Sequence, residues 1–350
     1  DMFFIKPEAK EQLLQLKHDF QAEGKKDDPF ELKYIIDNFV RNPEIGFVPT
    51  DSIVMTVDKA AVLRSGMKLP HGKDSIPDKM FISLRGKRIL TKSEMMVYEM
   101  LAHHDWTRPL YMSTTLGGDN QAGLDNYLML EGLAARVTPF KLGDSGVDTE
   151  RMYDNFMKKF RYGHIADPKV YVDQTVMRTC YTHRMRFAQL AQQLIKEGKR
   201  DKALKALEKC EQVLPQRQVP YEVWSLGIDS KTGLLMMPEC YRELGKTKEA
   251  ERILKAVADR SLAYFDWYNS FSESRLSSMS GDIMQQYQIL GMAIEGLQKC
   301  KSPLAGVYIK RVDQLQRTTA GHVLISAMNA RRAAAAAPGN GGEDEGDVDF

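Results

Sequence analysis

The segment Arg184–Pro215, RMRFAQLAQQLIKEGKRDKALKALEKCEQVLP, constrains this chain more than any other. Phe187, Leu190, Ala191 and Leu194 recur at the three-to-four spacing of one helix face. Gly198 stands where a left-handed residue would end that helix. Ala203, Leu207 and Cys210 then mark the inner face of a second helix, and Pro215 closes the unit. Small residues such as Ala191 and Ala203 let two helix backbones approach, and the larger ones fill the groove between them. One such hairpin cannot cover both of its apolar faces, so it needs neighbours of its own kind.

A second copy follows, anchored on Gly245, with Leu234, Met237, Tyr241, Ala250, Leu254 and Val257 at the corresponding positions. The pattern resembles the tetratricopeptide repeat, whose period is about 34 residues. Here the two turn glycines lie 47 residues apart, and the excess falls in the insertion QRQVPYEVWSLGIDS. Pro238 sits where a small residue is usual, so the first helix of this copy is expected to start late or bend. Two ordinary helical hairpins would satisfy the same pattern, with little change to the functional reading.

At 350 residues the chain has room for two domains. Its charges nearly cancel, at +2 with 27% charged residues, which removes the electrostatic case for nucleic acid or an anionic membrane surface. No stretch of 18 apolar residues occurs, so no membrane span is expected. The opening DMFFIKPEAK lacks the basic and apolar regions of a signal peptide, and its lack of an initiator Met suggests a piece of a longer protein. Cys180, Cys210, Cys240 and Cys300 are widely spaced and show no metal-binding pattern; two fall on repeat helices, as small buried apolar groups.

The expected fold is mainly α, tetratricopeptide-like repeats preceded by a small α+β domain. Residues 1–50 read as N-terminal helices, at 7–23 and 29–41. Residues 51–172 read as the α+β domain, opening with a strand at 52–57 and a short helix capped by Asp58 and stopped at Gly66. MFISLRGKRIL reads as two strands around a hairpin turn at Arg85-Gly86-Lys87. Thr91 and Glu94 have capping-box spacing ahead of a helix. GLDNYLMLEGLAARVTP reads as a further helix ending near Arg136. Residues 173–330 form the repeat region, closed by two helices after the aromatic run RSLAYFDWYNSFS. The low-complexity end, 331–350, is expected to be disordered.

No residue set defines a catalytic centre or a cofactor site. His103, His104 and Asp105 are adjacent, so they point apart rather than forming a helical metal pair, and better suit a helix C-terminus. Asp125 and Glu131 could be an acid–base pair, but six residues separate them; Asp125 would rather cap a helix and Glu131 pair with Arg108 or Arg136. Trp267, in the aromatic run Tyr264–Phe271, could stack a sugar or peptide, though packing the next helical layer accounts for it as well.

Two further stretches carry a family resemblance. They are His104–Tyr111 (HDWTRPLY) and Gly123–Arg136 (GLDNYLMLEGLAAR), with Met152–Phe156 (MYDNF) and the repeats after them. Together they resemble the C-terminal soluble half of the Bacteroidetes protein O-mannosyltransferase-like family of multi-pass membrane proteins. That family often has an aromatic residue where Ala135 stands here. The resemblance implies a periplasmic domain tethered to the inner membrane, with catalysis in the membrane half and no catalytic residue to transfer to this chain. It implies binding of acceptor proteins or partner subunits, beside the chain's own membrane-embedded half. Trp106, Arg108, Tyr111, Asp125, Glu131, Arg136 and Trp267 are the candidate binding residues. A free-standing tetratricopeptide scaffold is the alternative, and an α+β half with its own hydrolytic or sugar-binding activity a third reading.

Overall fold

The computed structural model describes residues 2–70, 72–116, 121–143, 146–221 and 235–336. The chain divides into two compact units, Asp1–Asn155 and Phe156–Phe350. The first is α+β and the second helical, as the residue patterns predict.

In the first unit, strand β1 (Met2–Phe4) leads into helices α1 (Lys10–Ala22) and α2 (Leu32–Ile35), the latter continuing as a wider helical turn to Val40. These are not a separate N-terminal layer. Ile5, Leu32, Ile35 and Ile36 share one core with Ile53, Met80 and Ile82, because each segment carries too little apolar surface to form a core alone. Strand β2 (Ser52–Thr56) follows, then helix α3 (Lys59–Arg64), whose first turn is capped by Asp58 accepting from the Ala61 amide at 2.9 Å.

Strands β3 (Lys79–Ser83) and β4 (Ile89–Thr91) correct the hairpin expectation. A turn is present, with Lys87 N–H donating to Leu84 O at 3.0 Å, but the strands diverge from it. β3 runs antiparallel to β2, Ser52 opposite Ser83, while β4 pairs with β1. Alternation decides the first choice: Met80 and Ile82 point inward and Phe81 outward, matching β2. Helix α4 (Lys92–Ala102) then starts from a complete Thr91/Glu94 capping box.

The second correction concerns GLDNYLMLEGLAARVTP. Instead of a helix it makes one tight turn (Asp125–Tyr127) and strands β6 (Leu128–Leu130) and β7 (Ala134–Val137). With β5 (Tyr111–Ser113) they form a three-stranded antiparallel sheet in the order β5-β7-β6. Leu, Met, Ala and Glu favour helix locally, but pairing on both sides of β7 outweighs that weak preference. Helix α5 (Thr149–Asp154), capped by Asp148, completes the unit.

The second unit contains α6 (Gln174–Lys196), α7 (Arg200–Val213), α8 (Met236–Glu243), α9 (Thr247–Tyr268), α10 (Glu273–Ser278), α11 (Ser280–Lys299), α12 (Leu304–Leu315) and α13 (Thr319–Ala336). Phe187, Leu190, Ala191, Leu194, Ala203, Leu207 and Cys210 are all buried between helices. So are Met237, Tyr241, Ala250, Leu254 and Val257; Leu234 and residues 222–230 of the insertion lie outside the described residues. The two turns are built alike. Gly198 and Gly245 adopt positive φ, and the residue after each donates back to Leu194 O or Tyr241 O at 2.8 Å. Pro238 falls in the first turn of α8, where no intrahelical donor is lost, so that helix starts late rather than bending. Helix α13 extends through 331–336, part of the expected tail, because alanine is the strongest helix former. Residues 337–350 lie outside the described residues. Among the described residues, no helix is long and apolar enough to cross a membrane.

Candidate functional site

The two stretches HDWTRPLY and GLDNYLMLEGLAAR meet in space. Tyr111, on β5, lies opposite Arg136 on β7. Its hydroxyl donates to Glu131 Oε2 at 2.5 Å, across the loop between β6 and β7. Glu131 and Arg136 are almost fully buried, 3% and 2% exposed, so their charges must be compensated within the protein. Arg136 Nη1 lies 3.8 Å from Glu131 Oε1, and Arg136 Nη2 reaches Ser65 O at 3.5 Å. A second cation, Arg151 of α5, donates to Glu131 Oε2 at 3.3 Å and to Gly66 O at 3.0 Å. Asn155 donates to the Glu131 carbonyl at 2.7 Å.

This cluster contains three of the foreseen residues, and the sequence reading missed Arg151 and Asn155. Their signal was the MYDNF stretch, whose preceding arginine and fourth residue supply the contacts. Burial, and then the Glu131 carboxylate, push the Tyr111 phenol above its ordinary pKa. Arg151 is held charged: burial opposes its charge, but Glu131 outweighs it. Glu131 Oε2 accepts from the phenol and from Arg151, while the buried Oε1, 3.8 Å from Arg136, has no hydrogen-bond partner among the described residues. The cluster's chemistry is that of a brace joining β5, β6, β7 and α5.

Trp106 is buried with a left-handed backbone (φ 62°), its ring edge-on to His104 at 4.7 Å. Burial lowers the His104 pKa against the opposing charge of Asp105, and Arg136 adds to the lowering. His103 caps α4, its ring nitrogen 3.0 Å from Glu99 O. Arg108 and Asp125 are exposed and stand outside the cluster. Asp125 therefore forms no acid–base pair with Glu131, and Arg108 is not its partner. Gly123 has a defined task. Its φ is +70°, and a Cβ there would meet Ser83 O at 2.9 Å, so only glycine lets this loop lie against β3. Tyr127 fixes the same docking through its hydroxyl, which donates to Phe81 O at 2.6 Å.

A cleft of about 660 Å³ opens elsewhere in the first unit, lined by Lys26, Asp28, Glu31, Tyr34, Asp37 and His104 among others, and by none of the foreseen binding residues. Two of its lining charges pair with each other, Asp28 with Lys79 at 2.6 Å, and Asp28 also meets Lys17 at 3.2 Å.

In the second unit the aromatic run splits by helix face. Phe265 and Tyr268 are buried, whereas Trp267 is 49% exposed beside Tyr264 and Phe271. On the same helix a groove of about 700 Å³ is lined by Arg217, Arg252, Lys255, Asp259, Arg260 and neighbours. Among the described residues, no group of three or more His, Cys, Asp or Glu is placed to hold a metal.

Neither the curated proteins nor the solved structures gave a match. A family model does match: residues 2–155 are similar to the family described as TMEM260-associated domain 2, a span that coincides with the first structural unit and contains both halves of the Glu131 cluster.

Proposed function

We propose that this chain is a non-catalytic portion of an O-mannosyltransferase-like membrane glycosyltransferase. In this reading it lies in the periplasm, tethered to the inner membrane. Its first unit is the TMEM260-associated module, and its helical unit, tetratricopeptide-like, binds acceptor proteins or partner subunits. The observation that carries the reading is the agreement between the matched span, 2–155, and the first unit. The sealed state of Glu131 supports a structural role for that unit. The like-built turns at Gly198 and Gly245 support a repeat array, an architecture whose extended faces suit protein recognition.

The test is deletion of residues 156–336 from the full-length membrane protein, followed by assay of sugar transfer to a native acceptor protein and to a short acceptor peptide. Loss of the first with retention of the second supports the reading. Equal loss of both places the helical unit in catalysis or folding and overturns it.

A further inference from the structure

The outward face of α9 joins two features that the fold itself does not use. Ile253, Leu254, Val257, Ala258, Ser261, Leu262 and Phe265 form its buried side. Arg252, Lys255, Asp259, Arg260, Ala263, Asp266 and Trp267 are exposed along the other. At 3.6 residues per turn these positions fall on one stripe. The groove beside its first half gathers the cations of Arg252, Lys255, Arg260 and Arg217 around the single lining carboxylate of Asp259, among the described residues. Part of that charge is spent: Arg252 reaches Glu211 at 2.6 Å, Lys255 reaches Asp259 at 2.5 Å, and Arg260 is engaged as well. Arg217 is exposed at the groove's rim, on the segment after α7. In a chain whose charges otherwise nearly cancel, this is a local excess of positive potential facing solvent.

The second half of the stripe is aromatic. Arg260 lies over the Tyr264 ring at 5.2 Å, Trp267 packs on Phe271 at 4.8 Å, and Arg275 lies over Phe271 at 4.9 Å. Trp267 keeps half of its surface in water although a large indole gains more by burial than most side chains. Arg252 and Trp267 are separated by about 22 Å along the helix, at ~1.5 Å per residue. An extended peptide covers that length in about seven residues, at ~3.3 Å each.

We propose that this stripe binds an extended acidic segment of a partner protein, carboxylates along Arg217, Arg252, Lys255 and Arg260 and an aromatic side chain on Trp267. The assignment rests on the partner-binding reading above and names the surface and the chemistry for it. Charge complementarity sets the register of the carboxylates, and the aromatic anchor supplies the burial that surface ion pairs do not.

The test is fluorescence anisotropy with the whole chain and a labelled eight-residue peptide of aspartates and glutamates ended by phenylalanine. Binding should saturate, weaken as salt is raised, and shift an indole emission that Trp267→Phe abolishes. Arg217→Glu with Lys255→Glu, both exposed, should weaken it about tenfold or more. Trp267→Ala should weaken it about tenfold. Unchanged affinity in the double variant overturns the proposal. So does equal binding of an oligothymidine strand, which would make the groove a general polyanion site. Binding seen only after removal of Glu343–Phe350 would make the chain's own acidic segment the occupant and overturn a partner peptide. If partner capture by the full-length protein survives the double variant, the groove assignment fails and the partner-binding reading stands. If the peptide binds as described but capture is never seen, the groove stands and that reading fails.

Discussion

Among the described residues each unit buries one arginine in its core, and the two are satisfied in different ways. Arg136 lies beside a carboxylate, Glu131, which Arg151 and Tyr111 also hold. Arg184 of α6 has no carboxylate partner among the described residues. Its guanidinium donates to three carbonyls, Leu214 at 2.8 Å, Val219 at 2.6 Å and Pro220 at 2.6 Å, and lies over the Tyr221 ring. The first arrangement joins strands distant in sequence. The second pins the exit of α7, where the long insertion leaves the repeat. A formal ion pair ties together a sheet that cannot close by repetition. Backbone dipoles suffice where neighbouring helices already define the geometry.

Removing the anion tests this contrast most severely. Glu131→Ala leaves the buried Arg136 without its anion and takes the shared acceptor from Tyr111 and the partly exposed Arg151. Breaking one side of a buried pair costs about 3–5 kcal/mol. Amide hydrogen exchange resolved by peptide should show that loss across β5, β6, β7 and α5, with the second unit changed far less. A uniform loss over both units would break the comparison, because it would make the cluster a keystone for the whole chain.

Arg184→Met is the counterpart. It keeps the length and apolar stem but leaves three carbonyls short of a donor; we expect a loss of about 3 kcal/mol in the second unit, since charged hydrogen bonds contribute more than neutral ones. Exchange should quicken first at Leu214 and Val219, in the segment after α7. Exchange that stays slow there would show that packing alone holds the exit.

The repeats were legible because their information is local. Phe187, Leu190 and Leu194 on one helix and Ala203 and Leu207 on the next face each other across a turn of three residues, so periodicity alone places them. The caps at Asp58, Thr91 and Asp173 were equally near to what they cap, though only the first two were read from the chain. The sheet was not legible. Leu128–Val137 is made of residues that favour helix, and its conformation is imposed by β5, over fifteen residues away. Arg151 and Asn155 escaped for the same reason: nothing beside them in sequence shows that Glu131 is their partner. Trp106 and Glu131 were singled out as candidate binding residues, Glu131 also as a partner of Arg108 or Arg136. Burial turned them into parts of the core.

Glycine offers a finer comparison at matched backbone geometry. Gly123 and Gly198 have φ of +70° and +75°, so alanine pays the left-handed penalty at both, about 1–2 kcal/mol. At Gly198 nothing lies within 4 Å of the added methyl, and the loss should stop there. At Gly123 the methyl also meets the β3 backbone at Ser83 O, so the loop must lift and Tyr127 must slacken its bond to Phe81 O. Gly123→Ala should therefore cost about 1–2 kcal/mol more than Gly198→Ala in urea unfolding, by analogy with overpacked cores. Equal losses would mean that the loop yields without strain, and that the glycine opening GLDNYL is there for its φ alone.

Titration separates the units by the smallest effect. All four cysteines lie in the second unit, and burial pushes the thiols of Cys210 and Cys240 up to about 12 from an ordinary 9.0. A thiol raised in the folded state contributes stability that is complete below the unfolded value and is lost as pH rises toward the folded one. From about pH 9 the second unit should thus weaken by ~1 kcal/mol per thiol for each pH unit. Cys210→Ala should remove one thiol's share of that slope, since Cys180 and Cys300 are raised too. The first unit shows the opposite arm. Glu94 is partly buried, which opposes its charge, but Lys87 and the Thr91 capping box outweigh burial and hold its carboxyl below the usual range. Its contribution is present above the unfolded value, near 4.5, and disappears as pH falls through the depressed one. Glu94→Gln keeps a capping side chain without the titrating group. It should cost about 1 kcal/mol or less at pH 7 and flatten the acid arm of the first unit alone. Exchange measured from about pH 2 to 10 would reveal both arms. If each unit weakened at both extremes alike, the distinction between a carboxylate-braced unit and one held by packed helices and backbone dipoles would fall.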